Sequence, residues 1–256
     1  EVPTYVHLPL IMGKDAEGNV SKLSKRHGAT GFDDLVQEGY LPEVITNYIA
    51  LLGWSPKGEQ EVFTLEELVQ EFDISGISKS PAIFDPIKLK AINGAYIRKL
   101  DLKKFEEMAM PYIRETCKRE DVDTAMIAEV LQPRTELFTD IPEQVDFIDT
   151  LPEYDIALYT HKKMKTNSET ALEALNYLLP VLEGVEEWNM DTLHQAIFSK
   201  IEELGVKNGY MLWPLRVAVS GKQFTPGGGL EIAVIIGKED TLARVRKGIE
   251  KLKAEA

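Results

Sequence analysis

Three cations and a hydroxyl fall within five residues at Lys22-Leu23-Ser24-Lys25-Arg26. Lys22, Lys25 and Arg26 can neutralise charge that builds on a transferring or leaving phosphate, an effect worth several kcal/mol where water is excluded. Ser24 adds a hydroxyl that can donate to a phosphate oxygen. Short basic motifs also arise often by chance as solvated turns, so the pentapeptide alone leaves both readings open. It lies close to the start of a chain that opens on Glu1 rather than Met, and a longer parent protein is expected.

Two further basic features can meet nucleic acid. Arg134 stands in the most acidic stretch of the chain, residues 101–160, which carries 6 Lys and Arg against 15 Asp and Glu. Its guanidinium fork can pair with the acceptor edge of a base, or equally with Glu129, Glu136 or Asp140. His161-Lys162-Lys163-Met164-Lys165, beside Tyr154 and Tyr159, suits phosphate contact or a plain solvated face. Other groups are less promising. Gly227-Gly228-Gly229 has neither a preceding strand nor the Gly-x-x-x-x-Gly-Lys spacing of a phosphate loop, and reads as a flexible connector. His7, His27, His161 and His194 lack metal-ligand spacing and read as structural or surface groups, so no metal site is expected. Cys117 is the single cysteine, which excludes an internal disulfide and favours a reducing compartment.

These residues need elements to hold them. Gly13-Lys14-Asp15-Ala16-Glu17-Gly18-Asn19 is turn-forming and delivers the pentapeptide, with the apolar run Tyr5-Val6-His7-Leu8-Pro9-Leu10-Ile11 before it and a helical run from Phe32 after it. Pro42 opens a helix with Val44, Ile45, Tyr48, Ile49 and Leu52 on one face, and Gly53 should end it in the left-handed conformation. Thr64-Leu65-Glu66-Glu67 is a capping box for a helix over 65–72. Asp85-Pro86 starts another, which Asn93-Gly94 should close after about Ile92. From Asp101 the pattern is helical almost throughout: a helix through Phe105, Met108 and Ala109, and a second from Asp123 through Leu131 that Pro133 kinks or breaks. Later helices are predicted over 168–182, 191–204, 207–219 with a kink at Pro214, and 239–253. Between the last two, residues 220–229 read as a long flexible loop. Boundaries fall near 100 and near 158.

Composition sets outer bounds. At 256 residues and 44% apolar content the chain supports two or three cored units, and no apolar run reaches the ~18 residues of a membrane span. The net charge of −13 argues at first against a nucleic-acid partner, but the acidic excess is concentrated in the middle. Residues 161–256 carry 13 basic against 13 acidic side chains. Local potential matters near phosphate, so the charge neither proves nor excludes RNA binding.

Taken together, Pro3-x-Tyr5-x-His7-Leu8-Pro9-Leu10-Ile11 with Lys22-Leu23-Ser24-Lys25-Arg26-His27-Gly28-Ala29 resembles the second nucleotide-binding motif of class I glutamyl-tRNA synthetases. The resemblance continues through Gly39-Tyr40-Leu41-Pro42-Glu43, Asn47-Tyr48-Ile49-Ala50-Leu51-Leu52-Gly53-Trp54-Ser55, Phe84-Asp85-Pro86-Ile87-Lys88-Leu89 and Asn93-Gly94-Ala95-Tyr96-Ile97-Arg98. It returns at Pro214-Leu215-Arg216-Val217-Ala218-Val219-Ser220-Gly221 and Ile236-Gly237-Lys238, so it runs nearly the whole chain in order.

The resemblance implies a mainly α fold: a small α/β stem-contact domain carrying the ATP loop over residues 1–100, then two all-helical anticodon-binding units over 101–157 and 158–256. It implies that Lys22, Ser24, Lys25 and Arg26 face ATP, with Lys22 and Lys25 as the catalytic cations. It gives Arg134 an anticodon-reading role and makes Lys162 and Lys163 tRNA contacts. The implied partners are tRNA(Glu), with tRNA(Gln) as an alternative, plus glutamate and ATP with Mg in the whole enzyme. A cytoplasmic monomer is implied, with no cofactor held by protein ligands in this chain. No His-x-Gly-His occurs here, and a Rossmann domain bearing it is expected ahead of Glu1. The chain alone is therefore expected not to activate glutamate, since one cationic loop cannot position both substrates. Two alternatives stand beside this reading: a glutaminyl-tRNA synthetase, whose anticodon domains are β-barrels, and a stand-alone helical RNA-binding protein without catalysis.

Overall fold

The computed structural model describes residues 2–3, 5–24 and 31–254. Twelve α-helices and one three-stranded sheet lie among them, a mainly α fold. They divide into two compact units, one of Glu1–Asp101 with Pro133–Asp140 and one of Leu102–Gln132 with Ile141–Ala256.

The sheet of the first unit is small. β1 (Ile11–Lys14) pairs antiparallel with β2 (Val20–Lys22) and parallel with β3 (Ala82–Ile83), in the order β2-β1-β3. Its hairpin turn is built by Asp15, whose carboxylate accepts from the backbone N–H groups of Glu17 (3.0 Å) and Asn19 (2.8 Å). Gly18 takes φ 92°, where a β-carbon would be strained.

Helices α1 (Phe32–Gln37), α2 (Pro42–Leu51), α3 (Leu65–Glu71) and α4 (Pro86–Ile97) complete this unit. The Thr64–Glu67 capping box and the Asp85 cap form as the sequence suggests. Two buried asparagines then tie the helices to the intervening chain. Asn47 accepts from the Phe63 N–H (2.6 Å) and the Tyr96 hydroxyl (3.0 Å), and donates to the Glu61 carbonyl (2.8 Å). Asn93 accepts from the Leu41 N–H (2.9 Å) and donates to the carbonyls of Gly39 and Glu136.

Those bonds explain one departure from the sequence reading. Asn93-Gly94 does not close α4, which continues to Ile97. Asn93 spends its side chain on distant carbonyls, and Gly94 supplies room: a β-carbon there would stand 3.1 Å from Glu136 Cγ. Gly53 is also no left-handed stop. The helix ends at Leu51, and the Gly53 carbonyl accepts from Ser78 N–H as Trp54 forms a bridge with Ile77.

The second unit is helical throughout: α5 (Leu102–Thr116), α6 (Thr124–Leu131), α7 (Ile141–Val145), α8 (Ser168–Glu183), α9 (Met190–Leu204), α10 (Asn208–Ser220), α11 (Gly229–Ile236) and α12 (Lys238–Ala254). In α8, Ala171, Ala174, Leu175, Leu178 and Leu182 repeat at helical spacing and are fully buried. Each such leucine contributes roughly 2 kcal/mol of transfer free energy. Gly205 closes α9 and Gly221 closes α10, both left-handed at φ 63° and 65°. Arg244 is 7% exposed and satisfies its guanidinium on the carbonyls of Phe147 (2.8 Å), Val219 (2.7 Å) and Ile148 (2.8 Å). Burial pushes the Cys117 thiol up to about 11, with Asp149 adding to the effect, so the thiol stays protonated.

Residues 220–229 are not the flexible connector that their glycines suggest. Lys222 pairs with Asp146 at 2.6 Å, the Thr225 hydroxyl donates to the Gly227 carbonyl (2.6 Å), and Thr225, Pro226 and Gly227 are buried. Gly229 opens α11, a helix absent from the sequence reading. A β-carbon there would lie 2.9 Å from the Arg216 nitrogen of α10, so the glycine serves close helix approach.

Candidate functional site

Lys22 is the last residue of β2, an edge strand, and is exposed. Leu23 N–H donates to the Ile11 carbonyl (3.0 Å), carrying the pairing one residue past the strand and leading the chain out to an exposed Ser24. The sheet thus presents the start of the basic pentapeptide to solvent. Lys25 and Arg26 lie outside the described residues. Among the described residues, no group of three or more His, Cys, Asp or Glu side chains is placed to hold a metal ion.

Arg134 ends a 3-10 turn, Gln132–Arg134, that follows α6 where Pro133 breaks the helix. It is exposed and belongs with Pro133–Asp140 to the first unit. Asp140, one of its three candidate carboxylates, is paired with Lys90 at 2.9 Å. Lys162 and Lys163 are exposed on a short loop pinned by reciprocal backbone bonds between His161 and Thr166 (3.0 and 3.3 Å). Lys22 and Ser24 therefore sit in the first unit with Arg134, whereas Lys162 and Lys163 sit in the second.

The sequence reading passed over a pocket of about 510 Å³ in the second unit. Its walls include His194 and Phe198 of α9, Trp213 and Arg216 of α10, Glu231 of α11 and Met164 of the lysine loop. His194 stacks on Phe198 with centroids 3.9 Å apart and planes 16° from parallel. The Trp213 indole N–H donates to the Leu158 carbonyl (3.0 Å), which fixes the ring, and the Arg216 guanidinium lies 5.7 Å from its centroid. His161 packs on the same indole at 4.1 Å.

Flat rings held in place beside a guanidinium suit an unstacked nucleobase, which gains about 1–3 kcal/mol per base from such a platform. A cavity of this size accommodates one base with room for water. The available signals were the i, i+4 pair His194 and Phe198 and the i, i+3 pair Trp213 and Arg216. Neither reports that three helices and a loop converge.

A family model for the tRNA synthetases class I (E and Q) catalytic domain matches residues 1–91, and one for the anticodon binding domain matches residues 104–249. The glutamate--tRNA ligase of Clostridium acetobutylicum is 55% identical over 251 residues, covering 98% of this chain and 51% of the relative. That of Clostridium tetani is 56% identical over 255 residues, covering 100% of this chain and 51% of the relative. The chain thus spans about half the length of the curated relatives it matches. Among solved structures, the glutamate-tRNA synthetase of Elizabethkingia anophelis superposes with a TM-score of 0.80 at 25% identity, over 98% of this chain and 52% of that one. A glutamate tRNA ligase from Elizabethkingia meningosepticum in complex with its amino acid gives 0.79 at 25% identity, over 98% and 52%. The chain therefore belongs to the anticodon binding domain family.

Proposed function

We propose that this chain is the tRNA-binding part, with one nucleotide loop attached, of an ATP-dependent glutamate–tRNA ligase. The whole enzyme activates glutamate as the adenylate and transfers it to tRNA(Glu). The observation that carries this reading is the order of the two family matches along one chain, with relatives of that name aligned over nearly its full length. In the whole enzyme Lys22, Ser24, Lys25 and Arg26 hold the triphosphate and oppose the charge that builds as pyrophosphate leaves. Mg accompanies ATP there and supplies further charge neutralisation. Lys162 and Lys163 contact RNA phosphates, the aromatic pocket stacks an unpaired base, and Arg134 reads another. The enzyme works in the cytoplasm as a monomer.

Aminoacylation by the whole enzyme carrying this sequence tests the reading. Glutamate should be charged onto tRNA(Glu), and transfer to tRNA(Gln) decides whether the enzyme is restricted to one tRNA. Glutamine charged in place of glutamate would instead establish a glutaminyl enzyme. No charging with intact binding of tRNA would establish an RNA-binding protein.

A further inference from the structure

We propose that His161 is a positioning residue that latches the cationic 162–165 loop to the wall of the aromatic pocket, so that lysines and rings form one RNA-binding surface. This rests on the RNA reading above and names the residue that couples its two parts in the second unit.

The geometry gives His161 two attachments. Its Nδ1 accepts from the Met164 backbone N–H (3.2 Å), which closes the loop over three residues. Its ring lies against Trp213, a wall of the pocket, at 4.1 Å between centroids. The far end of the loop is fixed separately, since the buried Thr166 donates its hydroxyl to the Tyr159 carbonyl (2.8 Å).

The loop is tight. Lys165 takes φ 58°, the left-handed region, and is the only non-glycine to do so among the described residues. A lysine held there is disfavoured unless its surroundings over-determine it. Met164 is the other half of the contact. A β-carbon on Gly209 would meet its sulfur at 2.4 Å, so the glycine leaves the thioether a seat at the pocket rim. With Met164 seated, Lys162, Lys163 and Lys165 are exposed on a loop that borders the pocket. A phosphate chain entering the pocket with one base unstacked passes those cations. An unlatched loop would have to be ordered at the moment of binding, at an entropic cost.

Four forms of the full chain test this: wild type, His161→Ala, His161→Asn and His161→Phe. Asparagine keeps an acceptor two bonds from Cβ, as Nδ1 is, while phenylalanine keeps the ring and loses the acceptor. Brief trypsin treatment without RNA, with cut sites mapped by mass, reads the latch directly. Cleavage after Lys162, Lys163 or Lys165 should rise several-fold in His161→Ala and by less in His161→Asn and His161→Phe, each of which keeps one of the two attachments. Binding of an RNA hairpin with an unpaired loop, followed against salt, reads the surface. His161→Ala should bind roughly tenfold more weakly and flatten the log K against log salt slope by about 1–2, the contribution of two lysine–phosphate contacts, with partial recovery of the slope in His161→Asn and in His161→Phe. Equal trypsin protection in His161→Ala and wild type overturns the latch. An unchanged salt slope overturns the coupling. A wild-type chain that ignores the hairpin overturns the RNA reading itself, whatever the protease shows.

Discussion

The two units are stabilised and exposed in different ways. Val2, Tyr5, Val6, Leu8 and Leu10 of the first unit are all 45% or more exposed, and its basic strand end sits on a three-stranded sheet whose third strand is two residues long. Beside its apolar cluster of Trp54, Phe63 and Leu68, two polar side chains, Asn47 and Asn93, are fully buried and each bonded to several backbone groups. The second unit packs longer apolar stripes, and its exposed large apolar side chains among the described residues are Leu102, Met164 and Phe224. A thin sheet edge offers cations to a small anion. A bundle of packed helices holds aromatic walls still enough to stack a base. On the proposed function, ATP chemistry belongs to the first unit and RNA recognition mainly to the second.

The division breaks if either half fails alone. Lys25→Ala in the whole enzyme should slow glutamate-dependent pyrophosphate exchange by roughly 10²–10³-fold, the scale of removing one charge-stabilising donor, while tRNA affinity holds. Unchanged exchange would remove Lys25 from the chemistry. Asn47→Ala comes next. It strands the buried Phe63 N–H and the Glu61 carbonyl, and should cost about 2–4 kcal/mol. Urea denaturation followed by Trp54 emission in a Trp188→Phe, Trp213→Phe background should show that loss in the first unit. A midpoint that does not move would mean the asparagine is not what orders it.

Trp213→Ala should weaken hairpin binding by about tenfold, within the 1–3 kcal/mol of one stacked base, and leave pyrophosphate exchange intact. Parallel losses of both activities would erase the division of labour. The smallest effect is electrostatic. The hydrogen bond from Arg119 holds Asp121 down at about 2, and Arg119 also joins Asp240 in one charge cluster. A depressed carboxylate adds stability above its unfolded value, near pH 4, and that contribution is lost as pH falls toward 2. Asp121→Asn should therefore reduce the steepness of acid unfolding in that interval, and only slightly because the group is exposed.

Local signals carried much of the fold. The Thr64–Glu67 box, the Asp85 and Asp123 caps and the Gly205 stop are each written in a few neighbouring residues, and the helices begin or end there. Misreadings arose where tertiary contact overrode local chemistry. Asn93-Gly94 looks like a stop, yet its side chain and its missing side chain both serve Glu136, forty residues on. Gly227-Gly228-Gly229 looks like slack, yet the last of the three lets α11 approach α10. The site divides the same way. A basic pentapeptide is contiguous and legible, and the resemblance of its neighbours gave it a role. The pocket needs Met164, His194, Trp213 and Arg216 from a loop and two helices, and nothing in their separate surroundings announces that they meet.

The central claim is that the helical unit recognises RNA through a cationic loop and an aromatic pocket acting together. The most direct measurement is the affinity of the full chain for an RNA hairpin with an unpaired loop, across a range of salt, for wild type, Trp213→Ala and Lys162→Ala/Lys163→Ala. The account predicts a steep salt slope in wild type, a lower affinity with a slightly flatter slope in Trp213→Ala, where His161 loses its seat, and the flattest slope with a smaller loss of affinity in the lysine variant. Identical affinity and slope in all three proteins would contradict it.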